Sequence, residues 1–248
     1  MRTLLGILAS LLILSSETRG QSWQEHDESK PDVMLEVFQK KLPDENVRKI
    51  HGRTYFNPHP GIDEYQFFKT SQLSTGMVYT QKDTLKDVHL YYDISRDRLI
   101  VFSRHVNAMI ELEEEFITQF QINIESDDTP HRFINTRFIK DYPESLWPGF
   151  HQLVYDSPDL CFYKKHMVSF YREPDGNVYV AVFKKREHLI YKHGEQYIHV
   201  RKKKDLLTQY PGSENEIKKY LREKGIKLKK AGDTELRALG IYLRQLGG

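Results

Sequence analysis

Between Tyr65 and Val200 the sequence alternates short apolar, aromatic-rich runs with clusters typical of tight turns. Within the runs, apolar residues recur at every second position, the period of a strand with one buried face. The strongest turn is Pro174-Asp-Gly-Asn177, where proline presets φ and Gly176 can take the positive φ of a bulged hairpin. The pattern predicts roughly eight to eleven antiparallel strands in a mainly β fold, either a sandwich or a curled, barrel-like sheet.

The stretch from His89 to Phe102 has two possible interpretations. It could be a site in which Asp93 and Asp97 act as paired carboxylates, or it could be a hairpin. Strand alternation assigns Leu90, Tyr92 and Ile94 to the core face. Asp93 then ends its strand, where its carboxylate can accept N–H groups of the turn Ser95-Arg96-Asp97. We therefore interpret this stretch as a hairpin.

A later hairpin carries two histidines with a specific predicted geometry. If His193-Gly194 is a two-residue loop, His188 lies directly opposite His199, with Cβ atoms about 5 Å apart. Two such imidazoles could share a metal ion. A defined metal site needs three or four ligands, however, and no third can be named. Two exposed histidines of a hairpin are the alternative.

The end of the chain changes to a helical period. Ser213 and Glu216 predict a capping box, and Gly225 predicts a left-handed stop for the helix between them. Asp233 or Thr234 can cap a second helix. The apolar stripes that would pack these helices are Ile217, Tyr220 and Leu221 in the first, and Leu236, Leu239, Leu243 and Leu246 in the second.

Basic residues are concentrated in the same region. From Arg201 to Lys230 there are eleven Lys or Arg residues against four Asp or Glu residues. Either they form a solvated helical face, or they dock an anionic surface or an acidic partner, with Lys218, Lys219 and Arg222 as candidate contacts. The net charge of the whole chain is only +2, which argues against a nucleic-acid partner.

The N-terminus has the features of a secretory signal peptide. Arg2 precedes an apolar run from Leu4 to Leu14, and a polar exit ends at Gly20. We expect residues 1–20 to be cleaved, leaving Gln21 as the mature N-terminus and no transmembrane helix after it. Residues 21–60 are predicted as a polar segment with one short helix, 61–205 as the β-domain, and 206–248 as a helical tail packed on it.

Few residues suggest chemistry. The lone Cys161 lies in an apolar strand and is predicted to be a core residue. The acids from Glu111 to Glu115 could form an acid/base pair or bind a cation, but they better fit the solvated end of a strand. Trp147 and Phe150 in a Trp-Pro-Gly-Phe loop could form an aromatic platform for a sugar or peptide. No nucleophile, metalloprotease, nucleotide or cofactor motif occurs, and no cofactor is predicted.

Several of these runs resemble those of uncharacterised exported proteins of Bacteroidota. The similar segments are Gly76-Met-Val-Tyr79, Asp87 to Ile94, Asp97 to Val101, Gln196 to Leu207 and Glu216 to Leu221. The last two are also similar to the ends of some envelope proteins of that phylum with a carboxypeptidase-regulatory-like domain. The resemblance implies an exported β-protein of the periplasm or outer membrane and supplies no catalytic residues.

Two functions follow as expectations. The first is a non-enzymatic cell-envelope module that binds another envelope protein or a surface component. The second is a small-ligand or glycan binder, or a hydrolase, that uses a cleft near Trp147 and the His188/His199 hairpin.

Overall fold

The computed structural model of the protein describes residues 52–57, 66–176 and 178–246. These residues form one antiparallel sheet of eleven strands, which confirms the mainly β prediction. The short helix expected in residues 21–60 and the signal peptide lie outside the described residues. The strands are β1 Gly52–Thr54, β2 Ser74–Thr80, β3 Thr84–Asp93, β4 Arg98–Ser103, β5 Ala108–Leu112, β6 Ile117–Asn123, β7 His131–Asn135, β8 Phe150–Asp156, β9 Leu160–Asp175, β10 Val178–His193 and β11 Gln196–His199.

Neighbouring strands in the sheet are mostly neighbours in sequence. The order is β1-β5-β4-β3-β2-β6-β7-β8-β9-β10-β11, so hairpins build it from two local meanders joined between β2 and β6. Strands β1 and β11 stand at the two edges, and within the described residues the sheet stays open rather than closing on itself. β1 pairs with β5, so the sheet also takes in residues that the sequence assigned to the N-terminal segment.

The longest hairpin confirms the strongest turn prediction. β9 and β10 are each 16 residues long and pair from Asp175 opposite Val178 back to Leu160 opposite His193. Gly176 has φ +60°, the left-handed value that the turn requires.

The predicted register of the next hairpin is wrong. Its loop consists of Gly194 and Glu195 rather than His193 and Gly194, so His193 pairs with Gln196 and Ile190 pairs with His199. Gly194 takes the first position of the loop with φ +57°, a left-handed conformation that glycine adopts without steric cost because it has no Cβ atom. The shift of the loop by one residue moves His188 from directly opposite His199 to a diagonal position on the same face.

The inner face of the sheet contacts two apolar clusters. In the first, Phe120, Phe133 and Phe150 pack together, with Phe120 and Phe133 stacked at 4.6 Å between ring centroids. In the second, strands β8 to β10 supply Phe162 and Tyr191, which pack against the C-terminal helices. On the opposite face, residues 136–149 cover a third, smaller cluster that includes Ile190.

Three helices follow the sheet: α1 Lys203–Leu207, α2 Glu214–Glu223 and α3 Asp233–Leu246. The predicted stripes are confirmed, since the Leu236, Leu239, Leu243 and Ile217 side chains are fully buried, Leu221 is 1 % exposed, and Tyr220 and Leu246 are partly buried against them. α3 packs closely on β8, where a Cβ atom added at Gly240 would lie 2.5 Å from the ring of Tyr155. None of the described helices combines the length and apolar character needed to cross a membrane.

The capping of these helices differs from the prediction. Ser213 is the N-cap of α2, but its side chain makes no capping hydrogen bond, and the Glu214 carboxylate accepts the Gly212 N–H at 3.0 Å instead. Asp233 is the first residue of α3, and its carboxylate turns to the sheet rather than capping the helix. The left-handed stop at Gly225 is confirmed by its φ of +67°.

The role predicted for Asp93 is confirmed. Its buried carboxylate accepts the Ser95 N–H at 2.9 Å and the Arg96 N–H at 3.2 Å through Oδ1. Its Oδ2 accepts Gln66 Nε2 at 2.7 Å and the Tyr55 hydroxyl at 3.3 Å. Asp93 therefore stabilises the turn and anchors two preceding residues, and it is not half of an acid pair.

We expect Asp93→Ala to lower the free energy of unfolding by about 2–4 kcal/mol, because several buried donors lose their acceptor. Urea denaturation measures the loss. Asp93→Asn, which keeps an oxygen for the turn, should lose less. Loss of partner binding at unchanged stability would show that Asp93 belongs to a site after all.

Candidate functional site

A belt of polar residues, four of them buried, lies on the inner face of the sheet beside the apolar clusters. Pairing between neighbouring strands brings it together. Gln152 of β8 lies opposite Phe133 of β7 on one side and opposite Lys164 of β9 on the other. Lys164 in turn lies opposite Leu189 of β10. Asp233 joins the belt from the first turn of α3. The polar belt, as we define it, consists of His131, Gln152, Lys164, His166, Glu187 and Asp233.

Asp233 is the centre of the belt. Its carboxylate accepts Lys164 Nζ at 2.8 Å and Gln152 Nε2 at 2.5 Å, and lies 3.5 Å from His131 Nδ1. Burial alone would raise the pKa of Asp233, but the hydrogen bonds from Lys164 and Gln152 and the charge of Lys164 help to outweigh burial, and that pKa lies well below its ordinary value. The belt thus ties the C-terminal helices to the sheet through a charged group that stays ionised.

The hydrogen-bond partners fix the ring protons of His131. Asp127 can only accept, so His131 Nε2, 2.5 Å away, carries a proton. The other nitrogen, Nδ1, accepts Gln152 Nε2 at 3.0 Å. Both nitrogens are therefore occupied by protein partners.

His166 is occupied in the same way. Gln152 directs its amide nitrogen to Asp233, so its oxygen accepts His166 Nε2–H at 2.7 Å. His166 Nδ1 faces Glu187 at 3.4 Å, and this contact, ahead of all other causes, lowers the pKa of Glu187 to about 2. The ring nitrogens of both belt histidines thus all face protein groups.

A basic cleft of about 460 Å³ opens beside the belt, where β11 ends. Arg201 and Lys202, which precede α1, line it together with Lys229 from the turn between α2 and α3. Lys164 and Glu187 of the belt form part of its floor. We call this the basic cleft; residues distant in sequence meet there because α2 and α3 pack back onto β8 and β9.

The histidines of the predicted metal pair lie at the edge of the basic cleft. His188 Nδ1 and His199 Nε2 are 3.2 Å apart, and Arg201 Nε donates to His199 Nδ1 at 3.0 Å. The Trp147 ring lies 4.2 Å from the His188 ring and 5.0 Å from the His199 ring, so the three predicted residues do converge. Among the described residues no group of three or more ligand side chains includes these histidines, and metal binding stays a prediction.

Phe150 does not join Trp147 in an exposed platform. It begins β8 and is 1 % exposed within the first apolar cluster, whereas Trp147 is half-buried with φ 55° at the end of a short helical turn. The proline and glycine between them suggested a loop, but Gly149 turns the chain inward beside Asp97. A platform of both rings is therefore ruled out.

The candidate contacts Lys218, Lys219 and Arg222 are exposed on α2. The same helix carries Glu214, Glu216 and Glu223, so its charges balance. The basic excess lies on either side of α2, in residues 201–205 and 224–230, where eight basic residues face one acid, Asp205. Part of each segment lines the basic cleft: Arg201 and Lys202 from the first, Leu228 and Lys229 from the second.

Two other candidate groups have structural partners. Glu111 is 5 % exposed and lies within 4 Å of Arg53, Arg96 and Arg98, so it belongs to a cluster of ion pairs rather than an acid/base pair. Cys161 is buried, as predicted, and burial raises the pKa of its thiol, which disfavours the nucleophilic thiolate.

Comparison of the chain with protein-family models, curated proteins and solved structures found no match. The resemblance to exported proteins of Bacteroidota therefore stays a prediction.

Proposed function

We propose that the protein is an exported, non-enzymatic module of the cell envelope that binds an anionic partner, a surface component or another envelope protein, at the basic cleft. The observation that carries the proposal is the concentration of unbalanced positive charge at that cleft. The side-chain cations of Arg201, Lys202 and Lys229 form no ion pair within 4.0 Å with a carboxylate in the described part of the chain. Uncompensated charge of one sign around a concavity attracts ligands of the opposite sign.

The polar belt supports binding rather than catalysis. Its histidines and Gln152 bind mainly to other residues of the belt and to Asp127, as parts of a structural network do. Lys164 is held by Asp233 and lies 3.7 Å from Glu187. The belt instead fixes the positions of the strands and of α3 that frame the cleft.

The convergence of Trp147, His188 and His199 favours a binder of small ligands as the second candidate. It supports a ligand site at the edge of the same cleft, and it adds no group that could carry out hydrolysis.

Co-sedimentation with envelope membranes of the native host tests the proposal. We expect the wild-type protein to bind, and binding to weaken as salt is raised, because exposed charges are screened within about 8–10 Å at moderate ionic strength. The double variant Lys202→Glu/Lys229→Glu should bind about tenfold more weakly or worse, given about 1 kcal/mol for each exposed basic residue near an anionic surface.

Lys82→Glu/Lys86→Glu is the matched control. It makes the same change in net charge at exposed lysines of the β2–β3 region, away from the residues that line the cleft. Equal loss of binding in both double variants would mean that net charge alone governs sedimentation. Unchanged binding of the cleft variant would refute the proposed site.

A further inference from the structure

The ligand chemistry of the basic cleft can be narrowed further, on the basis of the proposed function. Two carboxylates at or next to the cleft have protein partners: Glu187, which is exposed, lies 3.4 Å from His166 and 3.7 Å from Lys164, and Asp205 accepts the backbone N–H groups of Arg201 and Lys202 at 2.8 Å each. The three cations at the rim thus keep their charge available for a ligand. With three rim cations against one lining carboxylate, the cleft favours a ligand rich in acceptor atoms.

The edge of the cleft is a chain of directed donors. An arginine can only donate, so Arg201 Nε–H makes His199 Nδ1 an acceptor. In the neutral ring the proton then sits on His199 Nε2, which donates to His188 Nδ1 at 3.2 Å. By the same logic His188 carries its proton on Nε2, and the Trp147 ring packs against it. The hydrogen bond from Arg201 thus determines the tautomer of both rings, and His188 Nε2–H remains as one more donor at the edge of the cleft.

The neighbourhood keeps this histidine pair uncharged. Burial, ahead of Arg186 and Arg201, lowers the pKa of His188, and burial followed by His188 and Arg201 lowers that of His199. An added cation would meet the same repulsion, whereas an anion would offset it. The charges at the cleft thus oppose a metal ion and favour an anion.

We infer that the basic cleft binds a phosphate monoester, with its oxygens among Arg201, Lys202 and Lys229. Such a group carries about −1.5 to −2 charges at neutral pH and presents three acceptor oxygens, which matches three cations better than a single carboxylate does. The cleft is of the size that holds small ligands, and its remaining walls include Leu189, Val200 and Leu228, which can contact the organic part of the ester.

Calorimetry on the purified full-length chain tests the inference with three probes: inorganic phosphate, a sugar phosphate, and vesicles containing phosphatidic acid. Sodium chloride matched for ionic strength is the blank. We expect saturable heat with phosphate and tighter binding of whichever ester is the natural source, sugar or lipid. Arg201→Gln and Lys229→Glu should each weaken phosphate binding roughly tenfold, and Lys86→Glu should leave it unchanged.

Circular dichroism and urea unfolding establish that the variants are folded. Absence of saturable phosphate binding, or equal weakening by Lys86→Glu and Lys229→Glu, would overturn the inference. If phosphate does not bind but Lys202→Glu/Lys229→Glu still weakens envelope binding, the inferred ligand class is wrong and the proposed function stands. If envelope binding is insensitive too, both are wrong.

Discussion

Replacing Asp97 by alanine is expected to lower the free energy of unfolding by about 3–5 kcal/mol, the usual cost of leaving a buried charge without its partner. Lys165 Nζ lies 2.6 Å from Asp97 Oδ2, and the lysine side chain is 5 % exposed. The same carboxylate accepts the Tyr92 hydroxyl at 2.6 Å and the Phe150 N–H at 3.3 Å. It therefore joins the β3–β4 turn to β8 and β9, which are distant in the sheet order.

Two further variants separate the loss of the ion pair from backbone strain at position 97. Asp97 has φ 57°, so Asp97→Asn, which tolerates that backbone, removes the charge without adding strain. Asp97→Ala/Lys165→Met removes both charges and should recover part of the loss in urea denaturation. A single variant as stable as the wild-type protein, or a double variant whose losses simply add, would show that the pair contributes no coupling.

Stability is expected to fall as pH decreases, with His151 as a major cause. Burial, with a smaller contribution from Lys165, lowers the pKa of His151 from 6.5 to about 3. In the unfolded chain His151 takes up a proton as pH falls below 6.5, whereas the folded protein resists protonation until about 3. Stability is therefore full above the unfolded pKa and is lost progressively down to the folded pKa, by up to about 5 kcal/mol.

The variant His151→Gln isolates this contribution. Its side chain does not titrate, so the slope of unfolding free energy against pH should be shallower than in the wild-type protein by up to about 1.4 kcal/mol per unit in this range. The variant also loses contacts with Tyr142 and with the carbonyl groups of Leu146 and Gly149, so its stability near neutrality should be lower. Parallel curves for the two proteins would contradict the assignment.

Local sequence was a sound guide to the hairpins and the helices. Gly176 and Gly225 could be assigned because a left-handed residue at a turn or a helix end leaves a signal within a few residues. Asp93 could be assigned for the same reason, since its Oδ1 binds the N–H groups of the turn that follows it directly. The loop at Gly194 was missed by one residue, because His193-Gly194 and Gly194-Glu195 both fit a short hairpin and nothing local separates them.

The polar belt could not be assembled from sequence. Its members lie on β7, β8, β9, β10 and α3, and only the register across four strands and the docking of α3 bring them together. One feature of the sequence does point to the belt. Lys164 and His166 follow Phe162 at intervals of two residues, so all three side chains lie on the same face of the strand, and Phe162 is a core residue. The sequence placed the candidate contacts on α2, where basic residues cluster, but the acidic residues of α2 balance their charge. The basic excess lies in the segments on either side of α2, which fold to the basic cleft.

Photo-crosslinking from single positions tests most directly that the basic cleft, and not α2, is the binding surface. Benzoylphenylalanine placed at Lys229 in the full-length protein, irradiated on native envelopes, should yield an adduct that raised salt suppresses. The same group at Lys218 on α2 should yield none, since both positions are exposed and differ in whether they line the cleft. An adduct from position 218 with none from position 229 would contradict the account.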